Sequence, residues 1–468
     1  MYVSELIDKG WLYWRKGEAV IIDCQTGKGK THFILNVLTK SKKRILYLYN
    51  RKSLGNQLRK QGKRIEFKSY QFLANELRAG KKVDINYDYV ICDECHYMFH
   101  DGLFNNRVDY VHKAVLDNKM YKGVVIYISA TMELITPVIK RNYETVYEYV
   151  VPRDYTYVTP YHFRTNDEII KVVNNSKEKW MIFVNSIDKG LKLQNEIRGS
   201  ELVSTKHNPK ILEQVEDKER FNCKVLITTK VLDNGVNVKD PRVKNVVIYA
   251  HDKIDFIQML GRVRGNQPLN LYIYRYTNRD LKFGYYRTLC KNIETISLFR
   301  DNYDEFCDRY NDNYHKLDNC IFRLNKDEKW ELIENGLYLN VLKHFHMEII
   351  VTNLEQDTDY LLNKQLSWIG HKESIDIHTL FKEYLERILS KVIGKELYKQ
   401  EQDKLKESIE ESIGGLTKKS RVSTLHKLIK HYGLNFSITV ERNREREKNR
   451  GKLYWLITDE GTFLRRNY

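Results

Sequence analysis

In the N-terminal half of the chain, short and almost wholly apolar runs alternate with helical stretches. The first set of runs is Ala19-Val-Ile-Ile-Asp-Cys24, Ile45-Leu-Tyr-Leu-Tyr49, Tyr87-Asp-Tyr-Val-Ile-Cys92 and Val124-Val-Ile-Tyr-Ile-Ser129. A strand that is apolar on both faces must be covered on both, so these runs predict a parallel sheet flanked by helices. The alternation breaks near Pro152–Pro160. It restarts with Trp180-Met-Ile-Phe-Val184, Lys224-Val-Leu-Ile-Thr228, Asn245-Val-Val-Ile-Tyr249 and Leu271-Tyr-Ile-Tyr274. The fold class is therefore α/β, with two tandem parallel-sheet domains expected at 1–152 and 153–276.

Beyond Tyr276 helical, aromatic and charged sequence dominates, which predicts a mainly helical accessory region over 277–400. The remainder, 401–468, reads differently. A helix from Val422 to Tyr432 ends at Gly433 and leads into Phe436-Ser-Ile-Thr-Val440, a basic turn and Leu453-Tyr-Trp-Leu-Ile457. A helix followed by a β-hairpin is the layout of a small winged-helix-like module. Its hairpin carries Arg442, Arg444, Arg446, Lys448, Arg450 and Lys452, softened by Glu441, Glu445 and Glu447.

Length and charge sharpen this picture. A chain of 468 residues exceeds one ordinary core. No apolar run approaches the roughly 20 residues of a membrane span. The N-terminus lacks the charged-then-apolar order of a signal peptide, so a cytoplasmic setting, or its viral equivalent, is expected. The formal net charge is +17, an excess that favours a polyanionic partner, nucleic acid before a membrane surface. The competing reading is a Lys-rich, solvated surface. The seven cysteines show no framework spacing, which argues against a disulfide scaffold. Cys92 and Cys95 form a CxxC without a second pair at zinc-finger spacing.

Two local constellations carry chemistry. The strand ending at Cys24 runs into Gln25, Thr26, Gly27, Lys28, Gly29, Lys30 and Thr31, and then a helix. Glycines at 27 and 29 let the backbone curl so that its N–H groups face inward, toward the positive end of that helix. Such a loop cradles phosphates. Lys30 is placed to reach the β- and γ-phosphates, and the Thr31 hydroxyl suits Mg²⁺. The bland alternative is a Gly/Lys-rich surface turn. The strand 87–92 ends in Asp93-Glu94-Cys95-His96. Here Asp93 suits Mg²⁺ and Glu94 suits orienting or deprotonating an attacking water. His96 and His100 stand four apart, but no third metal ligand accompanies them.

With these residues in place, the chain resembles superfamily 2 helicases of DExH type, over residues 10 to 270. The segment 24–31 resembles motif I. Tyr49-Asn-Arg51-Lys-Ser-Leu54 and Lys68-Ser69-Tyr-Gln71 resemble motifs Ia and Ib. Asp93–His96 resembles motif II, and Ser129-Ala-Thr131 resembles motif III. Phe183–Ser186 looks like motif IV, Thr228-Thr229 through Gly235-Val-Asn237 like motif V, and Gln258-Met-Leu-Gly-Arg262-Val-Arg264 like motif VI. The pattern is most similar to helicase-like proteins of phages and mobile elements.

The resemblance implies two RecA-like domains that bind ATP and Mg²⁺ in the cleft between them. Lys30, Thr31, Asp93 and Glu94 would come from the first domain. Gln258, Arg262 and Arg264 would come from the second, where arginines neutralise charge on the γ-phosphate. Gly235 would line the nucleotide site. His96, Ser129 and Thr131 would couple nucleotide state to nucleic acid, and Arg51, Ser69, Thr228 and Thr229 would hold its backbone. Three departures stand out. Cys24 replaces the usual Ala, Asn237 replaces the usual Asp, and Arg264 is displaced by one position. Without an adenine-reading glutamine motif, DNA is favoured over RNA. Tyr13 or Trp14 could stack on the base, but plain core is the favoured reading. The function expected is a DNA helicase or translocase in replication, recombination or repair. The alternatives are an ATP-gated loading protein, or the motor of a restriction or defence complex. Replication or nuclease proteins are the partners these readings call for.

Overall fold

The computed structural model describes residues 1–25, 27–50, 65–100, 107–117, 119–204, 207–229, 238–263, 267–325, 327–444 and 449–459. The first six strands are β1 (Ala19–Asp23), β2 (Ile45–Tyr49), β3 (Ile65–Ser69), β4 (Tyr89–Asp93), β5 (Val124–Ser129) and β6 (Val146–Val150). They form one sheet in the order β3-β2-β4-β5-β1-β6. Every pairing in it is parallel. The central strands β2, β4 and β5 are buried along their whole length, as uninterrupted apolar sequence requires of a strand covered on both faces.

The second domain continues with β7 (Val158–Phe163), β8 (Lys179–Phe183), β9 (Ser200–Val203), β10 (Val225–Thr228), β11 (Val243–Ile248) and β12 (Leu269–Tyr274). Two strands far along the chain, β13 (Phe322–Leu324) and β14 (Trp330–Leu332), pair only with each other. The strand β15 (Ile375–Asp376) returns to the second sheet, whose order is β15-β7-β12-β11-β8-β10-β9. All its pairings are parallel. The Pro152–Pro160 break therefore contains the start of a strand. Pro160 pairs with Leu271 of β12, while β15 engages only Tyr161 and His162. The proline's missing N–H thus falls where no partner strand asks for one.

Past the second sheet, the helix Glu334–Asn353 lies against both domains. Leu339 from this helix and Ile254 from the second domain join the apolar cluster of the first domain, which holds Tyr97, Phe99 and Val111. The rest of the chain builds three helices, Ile377–Ser390, Lys399–Ser412 and Val422–His431, then a hairpin of β16 (Phe436–Arg442) and β17 (Leu453–Asp459). The segment between the first two helices bridges β17 at Ile393–Ile457 and Leu397–Trp455. These elements share one apolar cluster with the second domain. Phe381, Leu385, Ile429 and Ile457 pack with Ile169, Trp180 and Tyr272. That cluster takes in residues from both the 277–400 and the 401–468 segments.

Among the described residues no helix is long and apolar enough to cross a membrane. Trp14 is core, 6% exposed, but Tyr13 is 73% exposed. The core expectation for Tyr13 is thereby corrected. Its ring points to solvent because Trp14 alone packs against Phe33, Tyr89 and Tyr149.

Candidate active site in the interdomain cleft

The loop after β1 curls as its glycines predict. Gly27 and Gly29 take φ values of 87° and 81°, a region closed to most side chains. The helix that follows is a single α turn, Lys30–His32, which widens into π turns over Phe33–Val37. Cys24, just before the loop, is fully buried, and burial pushes its thiol up to about 12. It therefore serves as a small neutral packing residue. Lys28 and Thr31 are half-buried at the loop.

The end of β4 faces this loop. Lys30 Nζ lies 3.1 Å from Glu94 Oε1. Glu94 itself has a left-handed φ of 47°, a conformation that costs a non-glycine residue about 1–3 kcal/mol and that collects at functional sites. Asp93 is buried. Its Oδ2 accepts from Tyr47 OH at 2.7 Å, and its Oδ1 accepts from Glu94 N at 3.1 Å. Tyr70 OH donates to the Asp93 carbonyl at 2.9 Å. Tyr47 and Tyr70 were not singled out from sequence. For Tyr47 the available signal was that a tyrosine in a fully apolar strand must find a partner for its hydroxyl; Tyr70, at the start of a helix, carried none.

The two acids are driven in opposite directions. Burial raises the Asp93 carboxyl, and the neighbouring Glu94 charge adds to the rise, against the pull of Lys30. Burial works on Glu94 too, but Lys30, His96 and Arg262 outweigh it and hold that carboxyl well below the usual range. Arg262 belongs to the second domain. Its positive charge is one of those that hold the Glu94 carboxyl down.

Arg262 follows the helix Lys253–Leu260, which is capped by the Asp252 side chain accepting from Ile254 N and Asp255 N. The guanidinium donates to Gln258 Oε1 at 2.5 Å, and both residues are buried. Arg262 Nε and Gln258 Nε2 have no hydrogen-bond partner among the described residues. Two buried donors without an acceptor call for one, and phosphate oxygens would serve.

Residues 163–266 match the model of the helicase conserved C-terminal domain. The match spans the second sheet from the end of β7 to the segment after Arg262. Both sheets have the parallel layout of RecA-like domains, so the chain has a helicase-like fold. Several solved helicase structures are loosely similar. Saccharomyces cerevisiae Dbp5 bound to RNA and ADP BeF3 is 15% identical, with 56% of this chain and 81% of that one covered and a TM-score of 0.44. Mss116p bound to ssRNA and AMP-PNP is 13% identical over 62% and 79%, with a TM-score of 0.43. A hypothetical ATP-dependent RNA helicase from Sulfolobus tokodaii is 17% identical over 58% and 90%, with a TM-score of 0.28. No curated protein matches the chain.

The other expected site residues distribute unevenly. His96 Nδ1 lies 2.9 Å from Ser129 Oγ, which in turn sits 3.3 Å from Thr131 Oγ1, so the three form one buried chain of polar groups. Ser69 caps the helix Tyr70–Arg78 by accepting from Phe72 N. Thr228 is fully buried, its hydroxyl donating to the Thr229 carbonyl at 3.1 Å, and Thr229 is half-buried. Arg442 and Arg444 are exposed at the hairpin. Thr26, Arg51, Gly235, Arg264 and Arg446 lie outside the described residues.

One further group escaped the sequence reading. Arg153, in the linker between domains, donates to the Ala130 carbonyl at 2.8 Å and pairs with Asp23 at 3.2 Å. Glu133 beside it pairs with Lys253 of the second domain at 2.6 Å. Arg153 thus ties the linker to the first domain, and the Glu133–Lys253 pair ties the first domain to the second. A lone arginine in a linker carries no local signal of that role.

Proposed function

We propose that the chain is an ATP-driven nucleic-acid helicase or translocase of DExH type. ATP occupies the cleft, with its phosphates on the 25–31 loop and Lys30. Glu94 orients the attacking water and takes its proton, and its carboxyl is freed for that task when the phosphates take over the Lys30 charge that holds it down. Arg262 and Gln258 answer the charge that develops on the γ-phosphate. The observation that carries this reading is the 3.1 Å pair that brings Lys30, at the end of the glycine loop, onto Glu94 at the end of β4.

Mg²⁺ fits the residues present. A threonine hydroxyl at 31 and a carboxylate at 93 are hard oxygen donors of the kind the ion prefers. When bound with ATP it neutralises phosphate charge. Tyr47 keeps the Asp93 carboxylate oriented for that task.

His96, Ser129 and Thr131 relay nucleotide state toward the nucleic acid. Ser69, Thr229 and Arg51 contact its backbone. The three helices and hairpin from Ile377 onward form a winged-helix-like module whose basic hairpin grips phosphates. The lack of an adenine-reading glutamine motif favours DNA, in replication, recombination or repair, and the motif pattern favours a phage or mobile-element setting.

A titration of ATPase activity with single-stranded DNA, duplex DNA and RNA, at several salt concentrations, tests the reading. Hydrolysis stimulated several-fold by at least one of them supports it. Hydrolysis indifferent to all three sinks it. The fusion of the hairpin module to the second domain's core favours a second reading, an ATP-gated clamp. A clamp would bind DNA with ATP yet release no labelled strand in a displacement assay.

A further inference from the structure

The helix Glu334–Asn353 touches the elements that bear both halves of the cleft, and it does so from one face. Asn335, Leu339 and Lys343 are spaced by four and are all buried. At one end, Asn335 Nδ2 donates to the Met98 carbonyl at 2.6 Å. Met98 lies four residues beyond Glu94, in the segment that leaves β4. The neighbouring Tyr338 ring packs against Phe99 at 5.5 Å, and Glu334 pairs with Lys113 at 3.4 Å. Two turns on, Lys343 Nζ lies 3.3 Å from Asp252 Oδ2. Asp252 caps the helix Lys253–Leu260, which carries Gln258 and leads into Arg262. Eight residues of helix separate the two attachments, about 12 Å at 1.5 Å per residue.

A surface lysine would hold nothing in place, because it is hydrated and free to rotate. Lys343 is different. Its side chain is only 8% exposed, and Asp252, with Tyr285 and Asp255 behind it, keeps the buried ammonium charged against the cost of burial. Removing one partner of such a pair leaves the other charge stranded, so the attachment is stiff.

We infer that Lys343 is a positioning residue: through Asp252 it indexes the helix that bears Gln258 and leads into Arg262 to the segment that follows Glu94, with the helix Glu334–Asn353 as the spacer. In this role Lys343 acts only through Asp252. It sets the reach of Arg262 across the cleft. This rests on the proposed ATPase role of Glu94 and Arg262.

A guanidinium that answers charge only in the transition state affects turnover and not ground-state nucleotide binding. Misplacing it should do the same. The test uses the full chain and compares kcat, the Kd for ADP and the Tm for Lys343→Met, Lys343→Arg, Asp252→Asn, Arg262→Ala and the Lys343→Met/Arg262→Ala double variant. Asp252→Asn retains a capping oxygen while losing the charge, so it is the milder break if Lys343→Met folds poorly. A cavity of about 200 Å³ borders the pair and leaves room for the arginine. Lys343→Met and Asp252→Asn are expected to lower kcat at least tenfold with ADP affinity within twofold of wild type. Lys343→Arg should recover most of the rate. In the Arg262→Ala background, Lys343→Met should change the residual rate less than twofold, because its target is gone. The same tenfold loss in both backgrounds, or an unchanged kcat in the single variants, overturns the inference alone. Absence of hydrolysis by the wild type overturns the functional reading and this inference with it.

Discussion

Lys30 and Glu94 meet in a 3.1 Å ion pair that joins the loop after β1 to the end of β4. Each is the other's counter-charge before nucleotide arrives. If ATP binds as proposed, its phosphates take Lys30 from Glu94 and leave the carboxylate beside the γ-phosphate. Glu94→Gln should keep ATP binding and lose hydrolysis by about 10²–10⁴-fold, the usual contribution of a general base. Lys30→Ala should lose both. Equilibrium binding of a fluorescent ATP analogue, set beside phosphate release, separates the two outcomes.

Arg262→Ala should lower kcat by about 10³-fold, at the lower end of what an arginine delivered to a γ-phosphate contributes. ADP affinity should stay within a few-fold. A variant that loses ADP binding in proportion to rate would assign Arg262 to ground-state binding instead.

The acid limb of the rate should belong to Asp93. Its carboxyl is raised by burial, whereas Lys30 holds Glu94 down and ionised in the free enzyme, whose groups the kcat/KM profile reports. As pH falls through the raised Asp93 value, the proton competes with Mg²⁺ for the same oxygens. More Mg²⁺ should then move the limb to lower pH. Rate profiles at two Mg²⁺ concentrations that superimpose would remove Asp93 from the metal's coordination.

Ser129 stands between His96 and Thr131, at 2.9 Å and 3.3 Å. Ser129→Ala should leave basal hydrolysis within about threefold and abolish strand displacement, since such a hydrogen-bond relay works only when every member is present. Parallel ATPase and displacement assays decide it. Equal losses in both would make the chain of hydroxyls part of catalysis.

Stability has its own signature in the second domain. Lys179, buried in β8, donates to Asp240 Oδ2 at 2.8 Å and to the Phe221 carbonyl. The Arg242 hydrogen bond, with Lys179, holds the Asp240 carboxyl well below its usual range despite burial. A depressed carboxyl stabilises fully above its unfolded value near 3.8, and the contribution drains away as pH falls through the lower folded value. Asp240→Ala strands the Lys179 charge and should cost about 3 kcal/mol at pH 7. Urea unfolding measures it, and a loss under 1 kcal/mol would show that Phe221 alone satisfies the lysine.

What could be read ahead of the structure divides along a physical line. The runs that became β1, β2, β4, β5, β8, β10, β11 and β12 were legible because strands covered on both faces have no reason to alternate. Of the sheet strands not named, β3, β6, β9 and β15 lie at sheet edges, while β7, next to an edge, was hidden by Pro160 in its middle. Ile65-Glu-Phe-Lys-Ser69 shows why: Ile65 and Phe67 are buried, Glu66 is exposed and Lys68 and Ser69 are half-buried, so it lacks a continuous apolar run. The curl of the 25–31 loop was legible because it is set locally, by glycines at 27 and 29 between a strand and a helix. Arg153, Asn335 and Lys343 were not. Their partners, Asp23, Met98 and Asp252, stand about a hundred residues or more away, and nothing in the flanking sequence announces them.

The short strand β15 closes the β7 side of the second sheet, and the helices after it cover Trp180 and Tyr272. Truncation at residue 276 would therefore expose a bare backbone ladder and a greasy sheet face together. Such a fragment, though it holds every recognisable motor motif, would tend to clump through its raw edge and not behave as a minimal enzyme.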